Sequence, residues 1–143
     1  MKHDLPITQF GLSAVDMDST ALEVLQGDKR ATTGLHASYR HDHEPLPQIG
    51  NRSMVQDSRG RDIAIIEVTR VEIRRYCDVD ATYAAIEGEG DKSLAYWQRV
   101  HLAYFAAECR RIRVAWDEQQ EVVLEYFKVV QLCITPEEFS KAH

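Results

Sequence analysis

The chain has 143 residues, 44% of them hydrophobic and 28% charged, with a formal net charge of −6. That length suits one domain burying about two thirds of its unfolded surface. The acidic balance disfavours a protein that grips long nucleic acid by neutralising phosphates.

No apolar run approaches the roughly 18 residues of a membrane helix. The N-terminus, Met1-Lys2-His3-Asp4-Leu5-Pro6, lacks the apolar stretch of a signal peptide. Cys77, Cys109 and Cys133 are odd in number and widely spaced, which predicts free thiols in a reducing cytoplasm rather than a disulfide framework or a zinc knuckle. Arginines gather at Arg59, Arg61, Arg70, Arg74 and Arg75, but Asp57, Asp62, Glu67 and Glu72 interleave them. They read as a solvated strand surface.

In chain order, Asp18-Ser19 can cap a short helix carrying Leu22, Val24 and Leu25, and Gly27 stops it. Residues 29–35 read as a loop entering a short strand. Residues 38–47 are polar with two prolines and read as a loop. Strands are predicted over 53–56 and 63–73, joined by a turn at 57–61. On the second strand Ala64, Ile66 and Val68 share one face while Val71 and Ile73 take the other, so a bulge is expected near Thr69-Arg70.

A short helix through Ile86 and the loop Glu87-Gly88-Glu89-Gly90 follow. Asp91 can cap a longer helix whose buried stripe is Leu94, Trp97, His101, Tyr104 and Phe105. Two more strands are expected, around 113–116 and over 122–132, and the tail 135–143 is expected to fray. The whole reads as one α+β domain with its core over about 18–132; the order of elements argues against a Rossmann sheet.

Four segments carry a family resemblance. Gly27-Asp28-Lys29-Arg30-Ala31-Thr32 resembles the glycine-x-lysine-x-x-threonine signature of the activating-signal-cointegrator homology (ASCH) family. Ile66-Glu67-Val68-Thr69 resembles its isoleucine-glutamate-x-threonine strand. Residues 87–101 and the strand 122–130 are similar to the bacterial branch in pattern. The resemblance implies a small PUA-like β-barrel with surrounding helices. Members are linked to RNA binding, to metal-dependent cleavage of single-stranded RNA, and to amide hydrolysis on N4-acetylated cytidine, and fold alone does not choose among these. RNA or a modified nucleoside is therefore the expected partner, for a monomer or a homodimer. The family's catalytic candidates map onto Lys29, Thr32 and Glu89.

The chemistry of that set is coherent. Lys29 supplies a cation, or a base if partial burial depresses its pKa. Thr32 offers a hydroxyl nucleophile, and Glu89 can carry a proton to a leaving amine. Such a set requires no cofactor. Mg²⁺ remains an option if Glu87, Glu89 and Asp91 collect it, the bland alternative being a solvated turn and helix cap. Thr33, Tyr39, Glu67, Arg70 and Ser93 are candidate substrate contacts: Tyr39 as a stacking ring, Ser93 as a phosphate contact at a helix start, and Glu67 either in the cleft or paired with an arginine. His36, His41 and His43 read as loop residues, and His101 as a core histidine.

Overall fold

The structure, a computed structural model, describes residues 4–141. Five strands form one mixed sheet: β1 (Ile7–Thr8), β2 (Ala31–Leu35), β3 (Arg52–Gln56), β4 (Asp62–Arg75) and β5 (Glu121–Leu132). They lie in the order β1-β3-β4-β5-β2. The helices are α1 (Ala14–Gln26), α2 (His36–His41), α3 (Ala81–Glu87), α4 (Leu94–Ile112) and α5 (Pro136–Lys141). The expected α+β class holds, but the expected barrel does not. β1 and β2 end the sheet on opposite sides without pairing, so it stays open.

The long central pair explains how an open sheet still wraps a core. β4 and β5 run antiparallel, with register shifts between Ile65 and Ile66 and between Val68 and Arg70. The second is the bulge expected at Thr69-Arg70. An extra residue there bends the strand and turns its later side chains. Ile63, Ala64, Ile66 and Val68 are buried, while Ile73 is exposed.

Two apolar clusters flank this pair. Val24 and Leu25 of α1, Ile63 and Ile66 of β4, Phe127 of β5 and Phe139 of α5 make one. Leu35, Tyr83, Trp97, Phe105, Ile112 and Leu124 anchor the other, beneath α3 and α4.

Several boundaries differ from expectation for identifiable reasons. α1 starts earlier because Ser13, not Asp18, is its cap, accepting a hydrogen bond from the Asp16 N–H at 3.1 Å. Residues 36–41 are helical, and the prolines that suggested a loop lie beyond them. α4 is capped by Ser93 rather than Asp91 and runs to Ile112, so no strand forms at 113–116. Trp116 instead sets its ring against Tyr76 and Phe105. The tail does not simply fray: α5 buries Phe139 in the α1 cluster, while residues 142–143 lie outside the described residues.

Candidate functional site

Three local devices bring the site together. Gly27 takes a left-handed conformation, φ 89°, and the N–H groups of Asp28 and Lys29 return to the Glu23 carbonyl at 2.9 and 3.1 Å. That closes α1 and points Lys29 inward. β2, one of the sheet's two edge strands, then carries Thr32 and Thr33 past α3. The loop 87–90 packs so closely on this connection that a Cβ at Gly88, φ 74°, would collide with the Asp28 carbonyl. A side chain at Gly90 would strike the Tyr96 ring in the same way.

Lys29 is fully buried. Its Nζ donates to the Ala31 carbonyl at 2.8 Å and to Glu89 Oε1 at 2.7 Å, lies 3.5 Å from Glu87 Oε2, and sits over the Phe10 ring. Burial opposes its charge, but Glu87 and Glu89 outweigh that and raise its pKa. The depressed pKa that the base role needs is therefore not met, and the two carboxylates favour the cation.

Glu87, also buried, is the hub of this floor. Its Oε1 accepts from Thr33 Oγ1 at 2.6 Å and Trp97 Nε1 at 2.7 Å, and its Oε2 faces His101 Nε2 at 3.0 Å. The other His101 nitrogen, Nδ1, faces the Trp97 carbonyl at 2.9 Å. A carbonyl and a carboxylate only accept, so both ring nitrogens carry protons and His101 is a cation. Burial works against that charge, yet Glu87 raises the His101 pKa overall. Burial likewise opposes ionisation of Glu87, but Lys29 and His101 hold its carboxyl far below the usual range.

Above this floor lies a cavity of about 890 Å³, ample for a small organic ligand. Thr32, Thr33, Glu87, Glu89 and His101 line it, with Glu23, Asp16, Phe10, Tyr96 and Tyr104 around them. Thr32 is half-buried, and its hydroxyl bonds no other described residue. Glu23 receives the Gly90 N–H on Oε2 at 3.2 Å. Burial, then the neighbouring Glu89, push its pKa up to about 7.

Of the residues singled out in the sequence, Lys29, Thr32, Thr33, Glu87 and Glu89 come together. His101, expected as a core histidine, joins them through Glu87 Oε2 at 3.0 Å, and the remaining candidates do not. Glu67 pairs with Arg52 at 2.8 Å and Lys128 at 3.6 Å, the arginine-paired option. Arg70 lies over the Tyr126 ring and reaches Glu72 at 3.3 Å. Ser93 spends its hydroxyl on the Tyr96 N–H, and Asp91 accepts from the Ser93 N–H. Tyr39 borders a separate hollow of about 230 Å³ beside Gly34 and Glu108. No three His, Cys, Asp or Glu side chains among the described residues are grouped to hold a metal ion, and both Glu87 oxygens are already filled by donors.

Glu23 was missed. Its one signal was an acid in the last turn of a helix, where the negative end of the dipole disfavours an anion.

An open mixed sheet with a lysine-centred charge cluster beneath a ligand-sized cavity defines a small α+β cleft protein. The ASCH domain profile matches residues 7–131. The ASCH domain structure from Lactobacillus crispatus JV V101 is 38% identical with a TM-score of 0.86, covering 88% of this chain and 79% of that one. A protein of Enterococcus faecalis V583 is 27% identical with a TM-score of 0.84, covering 100% of this chain and 86% of that one. No curated protein matches. The chain belongs to the ASCH domain family. Among the described residues no helix is long and apolar enough to cross a membrane.

Proposed function

We propose that the cavity hydrolyses an amide on a small modified nucleoside, of which an N4-acylated cytidine is the type. One observation carries the reading. Lys29, the residue that would meet a phosphate, is fully buried and neutralised by Glu87 and Glu89, whereas the cavity presents the carboxyl groups of Asp16, Glu23 and Glu89. Such a surface repels the phosphates of an RNA strand and accepts a neutral heterocycle between aromatic walls.

In this scheme Thr32 attacks the acyl carbon and passes its proton to Glu89. The Lys29 ammonium holds Glu89 in place through a charge-assisted hydrogen bond. No metal is required by these steps.

The test is turnover of N4-acylated cytidines beside a labelled single-stranded RNA, with and without Mg²⁺. Metal-independent release of cytidine, lost in Thr32→Val, is expected. Mg²⁺-dependent RNA cleavage, or RNA binding with no turnover, would contradict the reading.

A further inference from the structure

The three carboxyl groups around Lys29 are chemically identical and environmentally unlike. Glu87 is saturated by Thr33, Trp97, His101 and Lys29, so it has no free lone pair aimed at a ligand. One oxygen of Glu89 is committed to Lys29. Glu23 differs from both. It comes from the last turn of α1, lines the cavity with Thr32 and Glu89, and is half-buried. Its Oε2 is fixed by the Gly90 N–H, and its Oε1 accepts no hydrogen bond from the described residues. A carboxyl held at one oxygen and open at the other is the arrangement a proton donor needs.

We propose that Glu23 is the general acid of the site, donating its proton to the amine nitrogen that leaves the scissile amide. The proposal rests on the hydrolase reading and adds to it the group that completes the proton balance. When Thr32 Oγ bonds to the acyl carbon, its proton goes to Glu89. As the carbon–nitrogen bond breaks, the nitrogen takes the electron pair and the Glu23 proton, leaving an acyl-threonine ester and an ionised Glu23. Water then attacks the ester and gives its proton to Glu23. The Thr32 oxygen leaves with the proton from Glu89. The sum is amide plus water giving amine plus acid, with both glutamates restored.

The surroundings support a proton on Glu23 near neutrality. Burial and the charge of Glu89 favour the protonated form, with Asp28 adding slightly, while Lys29 and the Gly90 N–H oppose it. Tyr96 of α4 lines the same cavity, and burial, Glu89 and Glu23 push its phenol pKa up, so it stays neutral beside the carboxyl groups.

The decisive comparison is Glu23→Gln against wild type on two substrates with the same acyl group, an N4-acylcytidine amide and a nitrophenyl ester. A nitrophenolate leaves without a proton, so a missing general acid matters little there. Glu23→Gln is expected to lower amide kcat by about 100-fold or more and ester kcat by tenfold or less. The fall in wild-type amide kcat as pH rises through about 7 should vanish in the variant. Glu23→Asp should restore that limb and part of the rate. Equal losses on both substrates, or an unchanged amide kcat and pH limb, would overturn the general-acid role while leaving the hydrolase reading intact. A wild-type protein inactive on every acylated nucleoside would overturn both.

Discussion

The floor and the wall of the cavity use the same side-chain chemistry to opposite ends. On the floor, Glu87 is met by two cations and two neutral donors, and none of its capacity is left over. On the wall, Glu23 and Thr32 are within reach of a ligand and nearly without protein partners. A buried charge is tolerated only when fully paired, so the floor can be rigid but cannot react. The wall keeps unspent hydrogen-bonding capacity in a half-buried place, where a carboxyl can hold a proton at neutral pH. The contrast separates the groups that hold the site from the groups that do its chemistry.

The largest effect should come from breaking the floor at its hub. Glu87→Ala would strand His101 as a buried, uncompensated cation and leave Lys29 with Glu89 alone, and removing one partner of such a set costs about 3–5 kcal/mol. A denaturant melt reads this directly. A loss under about 1 kcal/mol would mean the four contacts to Glu87 are not coupled.

Lys29→Ala should be somewhat milder, about 2–3 kcal/mol, because His101 still faces Glu87. A lysine only partly buried, the condition for the base role read from the sequence, would cost far less. Stability unchanged within about 0.5 kcal/mol would indicate such a lysine.

The loop that joins floor to wall gives a smaller, more local effect. Gly88→Ala must displace either itself or the Asp28 backbone, at a positive φ that alanine disfavours, so a destabilisation of about 1–3 kcal/mol is expected. Activity should fall further than stability, since Glu87 and Glu89 flank the position. Full activity in the variant would show that the loop need not be held so tightly.

How much of this was legible in the sequence follows from the same physics. Local rules found the Gly27 stop, the bulge at Thr69-Arg70 and the buried stripe Trp97, His101 and Phe105, because each depends on neighbours in the chain or on a simple period. Barrel closure was not legible, since it depends on whether β1 and β2 meet across the whole sheet. The signature segment pointed to Lys29 and Thr32. Yet nothing in a 27–32 window reveals that Lys29 lies under two carboxylates sixty residues later in the chain. Thr33 looked like a substrate contact and is spent on Glu87, while Glu23, not singled out in the sequence, stands in the cavity. Which of two adjacent threonines, or which of three acids, remains free is decided by tertiary partners alone.

The central claim, that wall and floor hold their carboxyl groups in opposite protonation regimes, is most directly measured by a residue-assigned ¹³C NMR titration of the glutamate carboxyl carbons in the intact protein. The account predicts that Glu23 titrates near 7, while Glu87 stays ionised down to the acid limit of the folded state. Because the Glu87 pKa is depressed, its stabilisation is full above the ordinary carboxylate range and is lost only as pH falls well below it. Glu23 titrating at an ordinary carboxylate value, or Glu87 taking up a proton near neutral pH, would contradict the account.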